Sequence, residues 1–440
     1  MARPYICLLA LAAVLLLGIA TISRSRGLRD KAHQSAPRIP SQFSQEERVA
    51  MKEALKGEPG SPSPTYSQIQ VPSSLSLFFI PLLLVFPTVF KTSFIRHEVV
   101  GEYSHLFTVH GSDPSLQPYM LLAHIDVVPA PDEGWDVPPF SGLERNGFIY
   151  GRGTIDNKNS LMGILQALEL LLIRNYIPRR SFFIALGHDE EVMGVNGAQK
   201  ISALLQARGV QLAFIVDEGS FIFDGFIPGL KNPFAMVAVS QKGLINLMLQ
   251  VNTTPGHSSA PPKETSIGIL AAAVNRPEPS PPAAWSVHQT HNAVSLHLNG
   301  VLVNVIPAVA QAIVNFRIHP AQTVQEVLKL AKDIVADDRV QFHVLNAFDP
   351  PPISPYDDQA LGYQLLRQTI QSVFPEINIV VPGTCVGNTD SRHYSNLTTG
   401  IYLFNPLYLQ PQSFRLRLQS WQLPVSEIQT HLRSKRAWNQ

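Results

Sequence analysis

Tyr119-Met120-Leu121-Leu122-Ala123-His124-Ile125-Asp126 is an apolar run that ends abruptly in an imidazole and a carboxylate. The same layout recurs twice downstream. Phe182–Gly187 leads into His188-Asp189-Glu190-Glu191, and Phe214-Ile215-Val216 leads into Asp217-Glu218-Gly219. The strand-like runs, Tyr119–Ala123, Ser181–Leu186 and Leu212–Val216, alternate with stretches of helical spacing, Ser160–Arg174 and Ala198–Arg208. Such alternation predicts an α/β layered domain, with a mostly parallel sheet and helices on both faces.

Beyond residue 240 the pattern changes. Residues 241–350 hold alternating strand patterns (Leu244–Val251, Ala312–Ile318, Val340–Leu345) and two helical ones (Ser266–Val274, Val324–Val335). They predict a smaller α+β lid domain inserted into the first, interrupted by the Pro-rich Arg276–Pro282. A helix over Leu361–Val373 and a strand over Ile377–Val381 return the chain to the larger domain, whose parts are expected at 26–240 and 351–412. Residues 413–440, with Arg415, Arg417, Arg433, Lys435 and Arg436, read as a weakly ordered basic tail. Gly57–Ser76, rich in Pro, Ser and Gly, and the apolar, Pro-broken Leu77–Phe86 carry no assigned element.

At the other end, Tyr5–Ala20 is nearly continuous apolar sequence after one Arg and before Ser23-Arg24-Ser25-Arg26. This is the layout of a secretory signal peptide, expected to occupy residues 1–25 and to be removed. A secreted, extracellular protein without a stable membrane span is expected. Two acceptor triplets for glycosylation, Asn252-Thr253-Thr254 and Asn396-Leu397-Thr398, fit that route. Of the two cysteines, Cys7 would leave with the signal and one thiol, Cys385, would remain, so no disulfide within the mature chain is expected. A chain of 440 residues with formal net charge +1 points to neither nucleic acid nor an acidic membrane surface.

In a parallel sheet the carboxyl ends of the strands share one edge, and ligands bind there. His124, Asp126, Glu190, Glu191 and Asp217 would meet along it, joined by Asp156 from Gly151-Arg152-Gly153-Thr154-Ile155-Asp156-Asn157-Lys158. Carboxylates crowded in one crevice repel each other, and bound dications are the natural compensation. One imidazole with several carboxylates suits catalytic zinc, and a surplus of carboxylates suits a two-metal site. His124 and Asp126 leave a strand end on the same face, so Asp126 is placed to orient the imidazole. Glu190 and Glu191 are adjacent and diverge, so one can bind metal while the other takes a proton from water.

This ordered set resembles the co-catalytic zinc peptidase family of aminoacylase, carnosine dipeptidase, acetylornithine deacetylase and succinyl-diaminopimelate desuccinylase. The likeness is carried by His124-Ile125-Asp126-Val127-Val128-Pro129, Gly151–Lys158 and Gly256-His257-Ser258-Ser259-Ala260-Pro261-Pro262, and covers roughly residues 36–56 and 88–412. It implies two zinc ions, with His124 and Asp217 on one, Glu191 on the other and Asp156 bridging by a side chain that precedes a cis peptide. Glu190 would be the general base, and Asp126 would orient His124. In the lid, His257 would steady the oxyanion, reaching it from a second subunit of a homodimer. Asn304 and Arg317 there, and Arg392 in Thr389-Asp390-Ser391-Arg392-His393, would hold the substrate. The implied activity is hydrolysis of N-fatty-acyl amino acids and, in reverse, their formation from fatty acid and amino acid.

The chain departs from the family pattern in three places. Residues 57–87 lack the expected amphipathic helix, and the lid is short near 275–291. The likeness also stops after Phe404–Pro411, before the Val/Ile-His-Gly-x-Asn-Glu-type motif whose histidine supplies the last zinc ligand. The second zinc site is then left with Asp156 and Glu191 and should bind weakly. The alternatives are a catalytically impaired secreted protein that keeps the fold for binding, and a dipeptidase or aminoacylase of the same family.

Overall fold

The computed structural model describes residues 82–130, 135, 137–145, 148–275, 291–298, 304–411 and 422–424. The expected signal segment, residues 57–76 and the Pro-rich lid stretch lie outside them. The described residues fall into two units, one formed by Gln241–Pro351 and the other by the remainder.

In chain order the larger unit begins with α1 (Pro87–Lys91), β1 (Ile95–Val100), β2 (Ser104–Val109) and β3 (Tyr119–His124). It continues through β4 (Leu143–Arg145), β5 (Phe148–Tyr150), α2 (Asn159–Ile173), β6 (Phe182–Gly187) and α3 (Ala198–Ala207). Then come β7 (Ile215–Asp217), β8 (Ile222–Phe223) and β9 (Phe234–Gln241). The lid unit holds β10 (Gly243–Asn252), β11 (Gly256–His257), α4 (Ser266–Val274), β12 (His291–Leu298), β13 (Val305–Ile306), β14 (Val309–Ile318), α5 (Val324–Val335) and β15 (Val340–Phe348). The chain returns with α6 (Leu361–Val373), β16 (Ile379–Cys385), β17 (Ile401–Leu403), β18 (Tyr408–Leu409) and β19 (Gln422–Pro424).

The main sheet runs β1-β2-β6-β3-β7-β17-β9-β8-β18, with β16 also on β9. Its centre, β6-β3-β7-β17, is parallel. The flanking pairs β1·β2, β2·β6, β17·β9 and β8·β9 are antiparallel, so the sheet is mixed around a parallel middle. The central strands are apolar on both faces because both faces are covered. Leu121, Ala123, Ile184 and Leu186 join one core with Leu161, Leu165 and Leu168 of α2 and Leu366 and Ile370 of α6. Their neighbours Met120, Leu122, Phe183 and Ala185 join another with Ile201 and Leu205 of α3.

Two places where sequence periodicity is silent become explicit. Leu82, Phe86 and Val89 are buried in the first core. The buried Glu169 of α2 accepts the Thr88 and Val89 N–H groups at 3.0 and 2.8 Å, supplying acceptors to the first turn of α1. In the tail, read as weakly ordered, Gln422–Pro424 pairs antiparallel with Phe148–Tyr150, the strand that leads into the Asp156 motif.

The lid is an antiparallel sheet, β12-β14-β10-β15. Ile245, Leu247, Leu249 and Val251 face a core with Ile269 and Leu270 of α4 and Val327 of α5. A capping box formed by Thr323 and Glu326 opens α5.

Candidate active site

The strand register sets the site. β3 and β6 run in step, so that His124 lies opposite Gly187, and β7 joins β3 with Leu121 opposite Val216. The carboxyl ends of all three strands therefore leave one sheet edge, and the turns after β6 and β7 begin there.

His124 is the hub. Its Nε2 lies 2.9 Å from Asp156 Oδ1 and 3.2 Å from Glu218 Oε1. Its Nδ1 meets the Asp126 carbonyl at 3.0 Å and the Asp126 carboxylate at 3.3 Å. The Asp126 carboxylate in turn accepts the Glu190 and Glu191 N–H groups at 3.1 and 3.0 Å. One aspartate thus orients the imidazole and pins the turn that carries both glutamates. The peptide between Asp156 and Asn157 is cis, as the resemblance implies.

Donor atoms of His124, Asp156 and Glu218 lie within 4.8 Å of one another, an arrangement able to hold a metal ion. Glu218, rather than Asp217, is the acid beside the imidazole. Both Asp217 oxygens already accept backbone N–H groups, from Glu218 at 2.9 Å and Ser391 at 3.1 Å. Adjacent residues at a strand end point opposite ways, and the alternation of Asp217 and Glu218 leaves two equal choices until the register is known. A signal was present in the sequence, since Glu218 follows directly, but nothing local favours it.

The electrostatics fit a dication. Burial, then Asp156, raises the Glu191 carboxyl to about 7. Burial, aided by Asp156 and opposed by His124, raises Glu218 to about 8. Burial also pushes Glu190 well above the usual carboxylate range. For His124 burial lowers the pKa, but Glu218, Asp126 and Asp156 outweigh it and hold it well above its ordinary value. Carboxyls that burial drives toward their neutral forms, beside an imidazole that its ionised neighbours draw toward its charged form, make a donor set whose charge a bound dication would balance. Two cations also serve the crevice. Arg152 stacks over Trp135 at 5.2 Å, and Lys158 is lowered to about 8 by burial against the pull of Asp126.

Other expected residues fall in two groups. Arg392 Nη1 lies 3.9 Å from Glu190 Oε1 and donates to the Thr389 carbonyl at 3.0 Å. His257, Asn304 and Arg317 lie in the lid unit. β11 and β13 pair, with His257 opposite Val305, and Ser258 N–H donates to the Asn304 carbonyl at 2.9 Å, so the exposed His257 and Asn304 are neighbours. Arg317 donates to Asn315 at 3.2 Å near the far end of β14. His188 and Asp189, which share the acidic turn, have structural partners: Ser104 for the imidazole, and the Asn196 and Gly197 N–H groups for the carboxylate.

Comparison with known proteins agrees with this architecture. The chain is 69% identical over 461 aligned positions to the N-fatty-acyl-amino acid synthase/hydrolase PM20D1 of Bos taurus, covering 94% of this chain and 92% of that protein. It is 62% identical over 462 positions to the Homo sapiens protein of the same name, with the same coverages. Both alignments are longer than the 440 residues of this chain, so each relative carries residues that have no counterpart here. Among solved structures, an M20 family metallo-carboxypeptidase from Sulfolobus solfataricus superposes with TM-score 0.66 at 15% identity, covering 90% of this chain and 99% of that one. Human carnosine dipeptidase 1 follows at TM-score 0.62 and 16% identity, covering 90% and 95%. The sequence pattern of peptidase family M20/M25/M40 spans residues 120–411, and the chain belongs to that family.

Proposed function

We propose that this chain is a zinc-dependent amidohydrolase that cleaves N-fatty-acyl amino acids and, in reverse, joins fatty acid to amino acid. The observation that carries the reading is the intact cluster of His124, Asp156, Glu218, Glu190 and Glu191 at one sheet edge, in a chain so close to relatives named for that reaction.

His124, Asp156 and Glu218 would hold one zinc, and Asp156 with Glu191 a second, weaker one. Zinc there would polarise the amide carbonyl and make water more acidic. Glu190, on the turn held by Asp126, takes the proton from the attacking water and returns it to the leaving amine. Arg392 is placed to steady Glu190 and to meet an anionic group of the substrate. His257 would donate to the developing oxyanion, and Asn304 and Arg317 would hold the substrate carboxylate. Arg317 is eight residues along β14 from Val309, roughly 27 Å at a strand's rise, from the end where His257 and Asn304 sit. A homodimer through the lid, as the resemblance implies, is part of the same proposal.

Secretion is part of the same proposal. The Tyr5–Ala20 run supports it, and both acceptor asparagines, Asn252 and Asn396, are exposed. No helix among the described residues is long and apolar enough to cross a membrane.

The test is release of free amino acid from a long-chain N-acyl amino acid by purified protein. Release should stop with a chelator and return with zinc. Glu190→Gln should lower kcat by about 10²-fold or more, without changing the melting temperature. Zinc binding without any release would favour the second reading, a fold kept for binding. That reading is motivated by residues 412–440, which hold no Val/Ile-His-Gly-x-Asn-Glu-type motif.

A further inference from the structure

The turn that bears Glu190 and Glu191 runs between two glycines, Gly187 and Gly194. At each of them the space a side chain would need is taken by the same group. A Cβ on Gly187 would fall closer than 3.0 Å to Asp390 Oδ2, and one on Gly194 would do the same to Asp390 Oδ1. At Gly187 the side-chain atoms within reach all belong to Asp390. The Asp390 side chain is therefore wedged under both ends of the turn.

Hydrogen bonds do not explain its position. Asp390 is buried, and its Oδ1 is buried without a hydrogen-bond partner among the described residues. A buried carboxylate oxygen in that state costs free energy, and such a group calls for a reason. Its neighbours in the chain supply the context. His393 Nε2 donates to the Met193 carbonyl at 2.9 Å, inside the same turn. Ser391 N–H donates to Asp217 at the end of β7 at 3.1 Å. Ser202 Oγ of α3 donates to the His393 carbonyl at 2.7 Å, fastening the segment from behind.

We propose that Asp390 is a positioning residue: its carboxyl fills the slot left open by Gly187 and Gly194 and so sets where Glu190 and Glu191 stand. The Thr389–His393 segment is then a brace between the turns that follow β6 and β7. The role is one of shape. Removal of the group opens space beneath the turn, and the glutamates lose their fixed distance to the rest of the site. Misplacement of a catalytic group by an ångström costs about 10²-fold in rate. The kinetic consequence rests on the reading of Glu190 as general base; the placement of the turn does not.

The experiment therefore has two readouts on the full chain. The first is amide hydrogen exchange over residues 188–194, which needs no activity. Asp390→Ala should speed exchange there by about fivefold or more, leaving residues 182–186 unchanged, while the isosteric Asp390→Asn should match the parent. The second is steady-state kinetics. Asp390→Ala should lower kcat by about 10- to 100-fold with KM held within about threefold, and Asp390→Asn should retain most of kcat. Gly187→Ala supplies a complementary arm, usable even if Asp390→Ala does not fold. Alone it should loosen the turn by collision, and combined with Asp390→Ser it should recover at least about tenfold in kcat and regain parental exchange. Unchanged exchange in Asp390→Ala, an Asp390→Asn turn as loose as the alanine variant's, or a Gly187→Ala defect not relieved by Asp390→Ser would each overturn the proposal. A parent protein that releases no amino acid would sink the proposed function instead, with the exchange comparison still deciding the role of Asp390.

Discussion

The choice between Asp217 and Glu218 shows how far single residues decide the chemistry. Asp217 has both oxygens committed to backbone N–H groups, whereas Glu218 reaches the imidazole. Replacing a metal ligand removes a donor outright; replacing a residue that braces the ligand acts indirectly. Glu218→Gln should therefore raise the zinc Kd by at least about tenfold, and Asp217→Asn should raise it less, as read by calorimetry. The reverse order would return the ligand role to Asp217. Glu190→Gln belongs to the same scale, since it changes one proton-accepting atom and leaves the shape of the turn.

At the scale of elements, the parallel centre of the sheet carries the site, and side-chain caps secure the pieces around it. The Pro87–Lys91 helix has no capping side chain of its own at its start; Glu169 from the long Asn159–Ile173 helix supplies the acceptors. Glu169→Ala would leave two N–H groups without those acceptors in a buried setting. A loss of about 1–3 kcal/mol is expected, seen as a lower melting temperature at unchanged zinc affinity. A melting temperature equal to the parent's would mean that water replaces the carboxylate there.

For the molecule as a whole, pH and metal are linked. The folded, metal-free chain holds Glu191 at about 7 and Glu218 at about 8, both raised mainly by burial. Unfolded, each returns to about 4.3. Between those limits the folded state binds more protons than the unfolded one, so stability is lost as pH rises. The chelated protein should thus show a melting temperature that falls from pH 5 to pH 8.5. Zinc requires deprotonated ligands, so its stabilisation should grow over the same interval and flatten or reverse the trend. Parallel melting curves with and without zinc across this range would contradict the assignment of these acids to the metal.

Most of the architecture was legible before any coordinates, because its signals are local. The apolar runs ending at His124, Gly187 and Asp217, and the helical spacing of 266–274, 324–335 and 361–373, depend on neighbours a few residues apart. So does the meeting of acids at one edge, which follows once three such strands are parallel. The mixed flanks of the sheet, the tail strand Gln422–Pro424 and the burial of Leu82 and Phe86 were not legible, since each depends on partners distant in the chain. By itself the sequence determined which chemical groups could gather, and in what order along the chain. Only the tertiary structure decided which of two adjacent acids faces the imidazole, and that Asp390 lies against glycines some 200 residues earlier in the chain, because side-chain direction and close packing are set by register and contact rather than by composition.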